Sequence, residues 1–341
     1  MPASERIPAL SIPEDPADTP EPEAAPEADP VASAALAADP QRALALLRDG
    51  ELRIHGRLTD ASNGVFYCTV NSGTVNSGTV SSGTVSNGAV SSGTVGDGSA
   101  DSDGEAGTGA GTGVVEAVCV YKPVRGERPL WDFPDGTLAG REVASYLVSA
   151  ATGWGLVPPT VLRDGPFGTG MCQVWVEPDP EPDTQLLALQ DVQEAEPGWR
   201  GIARAEVGAG RTALLVHAED IRLRRLAVLD AVLNNADRKG GHLLSAVDGR
   251  LYGIDHGVTF AVPGKLRTLL WGWAGEPLDP EAVTVLHALA ADLKGELADS
   301  LAPLLTAAEI DALRERVAEL LRSGRYPVPS GDWPAVPWPP I

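Results

Sequence analysis

The stretch NNADRKGGHLLSAVDGRLYGIDHG, residues 234–257, decides the fold. It follows a helix-like apolar pattern, presents Asp237 in a polar loop, and returns through a short apolar run to Asp255. This arrangement predicts a hairpin that separates two carboxylates on two loops. Taken singly, each aspartate is more typical of an ordinary turn, so their meaning depends on the rest of the chain.

The net charge of −21 is spread unevenly over the 341 residues. Three segments, 1–40, 71–113 and 176–196, carry −8, −4 and −7 of it, so the remainder is nearly neutral. This balance argues against general nucleic-acid binding, which needs basic surfaces. No apolar run reaches the roughly 18 residues of a membrane span, and the first residues lack the pattern of a secretory signal. A cytoplasmic location is therefore expected.

Low-complexity sequence predicts two disordered segments. Residues 1–40 are rich in Pro, Ala and acidic side chains without a sustained period. Residues 71–113 repeat a short S-G-T-V unit that is too small to bury the core of a β-solenoid, so a flexible insertion is predicted. Excising it leaves two strand-like runs, 64–70 and 114–124, that would form a β-hairpin. The Pro-rich end, 331–341, is expected to lie on the surface without regular structure.

The remaining sequence places strands first and helices later. Apolar alternation or buried apolar runs predict strands at 51–58 and 170–178. Helical patterns cover five further segments: 40–50, 139–153, 218–235, 280–301 and 306–324. This order predicts an α+β chain of two lobes, with a β-rich N-lobe over 41–176 and a helical C-lobe over 177–330.

Several common sites can be set aside. Cys68, Cys119 and Cys172 lie far apart without metal-ligand spacing, and the interpretation is three buried, reduced thiols. The sequence contains no Walker A motif, no H-E-x-x-H and no G-x-S-x-G. The glycines at 107–113 precede no helix, so they do not indicate a dinucleotide site.

A different set of polar residues appears in order along the chain. Ser62, Asn63 and Gly64 form a small-residue turn whose backbone N–H groups could approach phosphate oxygens. Lys122, one of four lysines, ends an apolar strand where it needs a partner, and Glu142 opens the following helix. Each feature alone has a plainer explanation, namely a hairpin turn, a snorkelling lysine and a helix-start glutamate. All of them in this order, with two aspartates after them, make chance a poor explanation.

The pattern resembles the protein-kinase-like fold, specifically the phosphatidylinositol 3-/4-kinase superfamily near its type II 4-kinase branch. The segment 140–162 resembles that branch's helix and strand, 234–244 its catalytic loop, and GIDHGVTF (253–260) its metal motif. More closely still, the chain resembles an actinobacterial family of phosphatidylinositol-kinase-related proteins of unassigned substrate. The resemblance covers roughly 45–330, apart from the insertion.

The resemblance implies ATP and Mg²⁺ as cofactors, with Mn²⁺ as an alternative metal. Lys122, Asp237 and Arg238 are the implied catalytic residues. Lys122 would contact the nucleotide phosphates and pair with Glu142, while Asp237 would accept or orient the acceptor proton. Asp255 would chelate the metal. Phosphoryl transfer depends on such positioning and charge neutralisation more than on covalent chemistry.

The other implied nucleotide contacts come from backbone groups. The turn at Ser62, Asn63 and Gly64 would lie over the phosphates. The strand MCQVWV (171–176) would be the hinge, and its backbone at four residues would face the adenine edge: Gln173, Val174, Trp175 and Val176.

One position departs from the family pattern. The second metal ligand is ordinarily an Asn five positions after the catalytic Asp, and that position is His242 here. Mg²⁺ prefers hard oxygen ligands, whereas imidazole suits softer metals such as Mn²⁺. His242 as a ligand therefore implies weak, Mn²⁺-preferring or absent activity.

The leading interpretation is an ATP-dependent kinase whose acceptor is an inositol lipid, a small polyol or a protein. Contact with a membrane surface is expected only for a lipid acceptor. Two alternatives stay open: a nucleotide-binding pseudokinase with a regulatory or scaffolding role, and a kinase-fold enzyme that transfers an adenylyl group. The sequence does not separate phosphoryl from nucleotidyl transfer.

Overall fold

A computed structural model describes residues 35–58, 64–72, 116–134, 136–180, 185–206, 212–331 and 334–340. The arm expected over 1–40 lies outside these residues as far as position 34, and the expected insertion does so from position 73 onward. Residues 35–37 are helical, with Ala37 buried, so the end of the arm packs against the fold. No helix in the described part of the chain combines the length and apolar character needed to cross a membrane.

A five-stranded antiparallel sheet occupies the N-terminal half, in the order β1-β2-β3-β5-β4. Its strands are β1 Glu51–Arg57, β2 Phe66–Asn71, β3 Glu116–Pro123, β4 Thr160–Gly165 and β5 Gly168–Val174. Strands β2 and β3 pair from Phe66 opposite Tyr121 to Asn71 opposite Glu116. The β-hairpin predicted around the insertion is thereby confirmed. Aromatic and β-branched side chains on these strands suit a pleated, half-buried surface.

The three cysteines meet in the core of this sheet. Cys68 lies directly opposite Cys119, and Cys172 is on the next strand, opposite Tyr121. All three are free and buried, as predicted. Burial raises the pKa of the Cys68 thiol to about 12, so it stays protonated at neutral pH and packs as a small apolar group.

Six helices of six to seventeen residues lie within the described residues, and most of them pack around a second, larger core. They are α1 Pro40–Asp49, α2 Leu138–Thr152, α3 Ile221–Leu233, α4 Pro280–Asp292, α5 Glu296–Leu301 and α6 Ala307–Ser323. Helix α1 packs on the sheet, whereas α3, α4 and α6 contribute Leu229, Leu286 and Leu313 to the larger core, around the buried Trp273. The described chain is thus a mixed α/β fold with two large hydrophobic cores and two small clusters.

The single helix predicted over 280–301 is wrong. Helix α4 ends at Asp292 and α5 begins at Glu296. Between them Gly295 adopts φ −138° and ψ −130°, which is outside the helical region, so the backbone turns there. Side-chain periodicity on either side of the turn stays in phase, which is why the sequence reads as one helix.

A second sheet lies in the region predicted to be the helical C-lobe. Strands β6 Leu187–Gln190, β7 Trp199–Glu206 and β8 Thr212–Ala218 form it in the order β6-β8-β7. Strand β6 belongs to the acidic segment 176–196, whose composition resembles a linker. Its pairing with β8 depends on contacts between distant residues, which composition does not reveal. Trp199 packs against the larger core and joins this sheet to the helices.

His217 on β8 is buried against the ring of Trp273, with the ring centroids 4.2 Å apart. Its Nε2 accepts a hydrogen bond from the Gly272 N–H at 3.1 Å, while Nδ1 lies 2.9 Å from the Ala218 carbonyl oxygen. Only the neutral ring with its proton on Nδ1 satisfies both contacts. Burial lowers the pKa of His217 to about 4.

We expect His217 to destabilise the fold on acidification. The unfolded chain takes up a proton near pH 6.5 and the folded chain only near pH 4, so stability present above pH 6.5 is lost between these values. The loss is about 3 kcal/mol. Melting temperatures of the wild type and His217→Gln across pH 7 to 4 measure it. The variant should have a shallower slope than the wild type, and His287→Gln, a change at an exposed histidine, is the matched control.

Candidate functional site

A cavity of about 620 Å³ lies where the five-stranded sheet, α2 and the two aspartate loops meet. The loops are joined by the predicted hairpin, which consists of β9 Leu243–Ser245 and β10 Leu251–Gly253. Six of the residues singled out in the sequence line the cavity: Gly64, Lys122, Glu142, Asp237, His242 and Asp255. Residues that are distant in sequence are therefore brought to one place.

Lys122 is held between two carboxylates. Its Nζ lies 2.9 Å from Glu142 Oε1 and 2.5 Å from Asp255 Oδ1. Burial by itself lowers the pKa of the ammonium, but the two carboxylates outweigh it and raise the pKa above its usual range. Lys122 in turn holds the pKa of Asp255 well below its usual range. Lys122 and Asp255 are therefore both ionised at neutral pH.

The first turn of α2 sets the position of Glu142. Thr137 caps the helix by accepting the Gly140 N–H, and Glu127 accepts the N–H groups of Leu138 and Ala139 at 2.9 and 2.7 Å. A carboxylate at this end also complements the helix dipole. Glu142 lies about one turn further along, so the caps fix the carboxylate that holds Lys122.

Helix α2 is also bonded to the segment that follows Asp255. Glu142 Oε2 accepts the backbone N–H of His256 at 2.9 Å. Arg141 donates from Nη1 to the Thr259 carbonyl oxygen at 2.7 Å and forms a buried ion pair with Glu309 on α6 at 2.6 Å. Consecutive side chains of one helix therefore position both ends of the segment 256–259.

Asp237 lies in a loop shaped by its neighbours. Its backbone N–H donates to Asn235 Oδ1 at 3.0 Å, and its carboxylate pairs with Lys239 at 3.0 Å. Asn234, the C-cap of α3, has φ 54°, a left-handed conformation that Asn tolerates better than most residues. Asn234 Nδ2 donates to the carbonyl oxygens of Ala261 and Pro263 at 2.8 Å. The two asparagines thus turn the chain from α3 toward the cavity.

Arg238 does not face the cavity, so its assignment as a catalytic residue is corrected. The side chain is fully buried and pairs with Asp230 on α3, with Nη2 3.0 Å from Oδ1. Nη1 donates to the carbonyl oxygens of Ile254 and His242 at 3.0 and 3.3 Å, and Nη2 lies 2.6 Å from His256 Nε2. The guanidinium therefore fixes the two aspartate loops relative to α3.

Asp255 and His242 face each other across the base of the cavity. Asp255 adopts φ 58°, and His242 Nε2 lies 3.6 Å from Asp255 Oδ2. Burial lowers the pKa of His242, which favours the neutral imidazole. Metal–ligand distances of about 2.1 Å allow two donors 3.6 Å apart to bind one ion. Among the described residues no group of three or more His, Cys, Asp or Glu side chains is placed to hold a metal. The pair therefore fits a metal that takes its other ligands from phosphates and water.

The predicted phosphate turn is seen in part. Gly64 lines the cavity, and its N–H lies 3.5 Å from the Gly126 carbonyl oxygen. Ser62 and Asn63 lie outside the described residues.

The predicted hinge contributes nothing to this cavity. None of Gln173, Val174, Trp175 and Val176 is among the described residues that line it. The N–H groups of Val174 and Trp175 donate to protein carbonyl oxygens, and Gln173 Nε2 donates to the Thr160 hydroxyl at 2.8 Å. The expectation that this backbone run faces a base is thus wrong for the N–H groups of Val174 and Trp175, because both are already bonded within the fold.

Several supporting residues were missed in the sequence. Glu127, Asp230 and Asn235 position the site through helix caps and buried hydrogen bonds. The adjacent asparagines ahead of Asp237 were a usable signal, since Asn is favoured where a helix ends in a left-handed residue. Glu127 and Asp230 carried no such signal, because their partners are distant in sequence or buried.

No family model matches the chain. The chain is 45% identical over 302 residues to Protein Rv2133c of Mycobacterium tuberculosis, in an alignment that covers 86% of this chain and 94% of that protein. Over 79 residues it is 37% identical to Phosphatidylinositol 4-kinase gamma 4 of Oryza sativa subsp. japonica, covering 20% of this chain and 14% of that protein.

Two solved structures are similar at low TM-scores. The crystal structure of the Golgi casein kinase has a TM-score of 0.34 at 16% identity and covers 61% of this chain and 66% of that chain. The structure of hydra Fam20 with sugar has a TM-score of 0.40 at 11% identity, with coverage of 84% and 88%. Likeness at this level supports no inference about the chain.

Proposed function

The chain belongs to the family of Protein Rv2133c of Mycobacterium tuberculosis, whose name states no activity, and from the site in this fold we propose that it is an ATP-dependent phosphotransferase. It is a kinase of the phosphatidylinositol 3-/4-kinase-like type, with the five-stranded sheet as N-lobe and the helical core as C-lobe. The short match to a rice phosphatidylinositol 4-kinase supports this type. The acceptor is a hydroxyl of a lipid, a small polyol or a protein.

One observation carries the proposal. Lys122 is bonded to both Glu142 and Asp255, and the same cavity contains Asp237 on a separate loop. A cation, a metal-binding carboxylate and a second carboxylate around one space suit phosphoryl transfer, which needs charge neutralisation and in-line positioning.

The reaction divides among the residues of the cavity. The acceptor oxygen forms a bond to the γ-phosphorus while the bond from that phosphorus to the β-phosphate oxygen breaks, so ADP leaves. Asp237 takes the proton of the acceptor hydroxyl. Lys122, oriented by Glu142, offsets negative charge on the phosphate oxygens. Arg238 holds the loops of Asp237 and Asp255 in register through its bonds to their backbones.

Asp255 and His242 would hold a divalent cation, Mg²⁺ or Mn²⁺. When bound, such an ion neutralises phosphate charge and orients the β- and γ-phosphates. Two protein ligands suffice, because Mg²⁺ in such sites takes its other ligands from water and substrate phosphates.

Replacing His242 with Asn is expected to shift metal preference toward Mg²⁺. The amide oxygen is a harder ligand than imidazole, so the ratio of Mg²⁺-supported to Mn²⁺-supported ATP affinity should rise by roughly tenfold. Titration calorimetry with ATP in each metal measures the ratio. His287→Asn, on the exposed face of α4, is the control. An unchanged ratio in His242→Asn would remove this histidine from the metal site.

The proposed function is tested with labelled nucleotide. Purified protein is incubated with Mg²⁺ or Mn²⁺, a cell extract, and ATP labelled at the γ- or the α-phosphate. Transfer of γ-label that is lost in Asp237→Asn supports a kinase. Transfer of α-label would show adenylylation instead. Nucleotide binding without transfer of either label would show a pseudokinase, the alternative that His242 favours.

A further inference from the structure

The C-terminal residues 334–340 lie along the loop that carries Asp237. They form neither helix nor strand, in keeping with their proline content. Their contacts are nevertheless specific, because backbone carbonyl groups accept hydrogen bonds at both ends of the segment. Pro337, near its middle, is buried.

At its first end the segment bonds to residues 268–271. The carbonyl oxygen of Ala335 accepts the Thr268 N–H at 3.0 Å and the Trp271 Nε1–H at 2.8 Å. At its other end the Pro340 carbonyl oxygen accepts the Gly240 N–H at 2.8 Å. Gly240 lies three positions after Asp237 and two before His242. The second contact is therefore made inside the loop of the candidate site.

The run around Thr268 is itself paired with that loop, through a parallel bridge between Arg238 and Thr268. Arg267 donates its N–H to the Asn235 carbonyl oxygen at 2.9 Å and accepts the Arg238 N–H at 3.0 Å. Backbone hydrogen bonds therefore link the Asp237 loop through residues 267–268 to Ala335. The C-terminal segment is bonded to the loop directly at Gly240 and indirectly through this middle run.

We propose that residues 334–340 are a positioning segment for the candidate active site, fixing the loop 237–242 so that Asp237 and His242 hold their places. Two consecutive glycines, Gly240 and Gly241, give this loop more backbone freedom than other residues would. Several loop conformations are therefore accessible, and the hydrogen bond from Gly240 to Pro340 selects one of them. The effect of the segment on catalysis rests on the proposed function. The hydrogen bonds that hold the segment on the loop are independent of it.

Deleting residues 334–341 tests the proposal. Hydrogen–deuterium exchange across 237–242 should become at least tenfold faster in the deleted protein, since the Gly240 N–H loses its acceptor. With γ-labelled ATP, kcat should fall roughly tenfold to a hundredfold, while KM for ATP, set mainly by Lys122 and Asp255, should change less than twofold. A synthetic peptide of residues 334–341, added in excess, should slow exchange and recover kcat.

Two variants separate the backbone contacts from side-chain bulk. Trp271→Phe keeps an aromatic ring but removes one donor to Ala335, so exchange in 237–242 should rise by an intermediate amount. Trp338→Ala removes a side chain that is 81% exposed and should leave exchange and kcat unchanged. Unaltered exchange in the deleted protein overturns the proposal, whether or not the full-length protein transfers phosphate. Faster exchange with an unchanged kcat overturns the part of the proposal in which the segment positions Asp237 and His242 for catalysis.

Discussion

Asp255→Asn is expected to abolish metal-dependent ATP binding and to lower phosphoryl transfer by about 10³-fold. The carboxylate gives one oxygen to Lys122 at 2.5 Å and presents the other 3.6 Å from His242. An amide keeps the shape but removes the charge that attracts a divalent cation. Asparagine also tolerates the left-handed backbone of this position, φ 58°, so the fold should persist.

Calorimetric titration with ATP, with and without Mg²⁺ or Mn²⁺, measures the binding loss in Asp255→Asn, and γ-label transfer measures turnover. Asp248→Asn is a matched control, because Asp248 lies at the exposed turn of the same β-hairpin, outside the cavity. Asp237→Asn should keep ATP binding and lose turnover. Metal-dependent binding that survives in Asp255→Asn would refute the metal assignment.

Arg238→Leu is expected to destabilise the protein by about 3–5 kcal/mol. The substitution leaves the Asp230 carboxylate fully buried without its cation, and it removes the donors to the Ile254 and His242 carbonyl oxygens. Uncompensated buried charge is costly because the interior solvates it poorly. The melting temperature should drop on the order of 10 °C.

The melting temperatures of Arg238→Leu and of the control variant Arg250→Leu, measured by thermal unfolding, test this prediction. Arg250 is exposed on the same hairpin and pairs only weakly with Asp248 at 3.4 Å, so its loss should cost about 0.5 kcal/mol or less. Combining Arg238→Leu with Asp230→Leu should recover part of the stability, because no buried charge is then left alone. Equal melting temperatures for the two single variants would contradict the buried network.

The residues that line the site were predictable because they occur in a recognisable order along the chain. Lys122, Glu142, Asp237 and Asp255 were singled out by their order along the chain and given roles by the family resemblance, and the structure brings them around one cavity. Arg238 was misassigned because a motif records which residue is present and not where its side chain points. Its partner Asp230 belongs to the preceding helix and has no motif of its own.

The fold was predictable where local pattern and tertiary contact agree. The β2–β3 hairpin and the helix predicted over 306–324 are confirmed, since both depend on neighbouring or strongly patterned residues. Strand β6 was missed because its acidic, linker-like sequence concealed a pairing with β8, up to thirty residues away. The turn at Gly295 was missed because one glycine within a helical pattern is usually tolerated.

The placement of the three cysteines gives the sheet its own chemical reporter. Every sulfhydryl in the chain lies in the core of the five-stranded sheet, and none lies in the larger core around α3, α4 and α6. A maleimide reagent can therefore react only when the sheet opens, and the high pKa of Cys68 keeps the folded thiol unreactive. The labelling rate thus measures sheet opening separately from loss of helical circular dichroism, so the two halves of the molecule can be timed independently as they unfold.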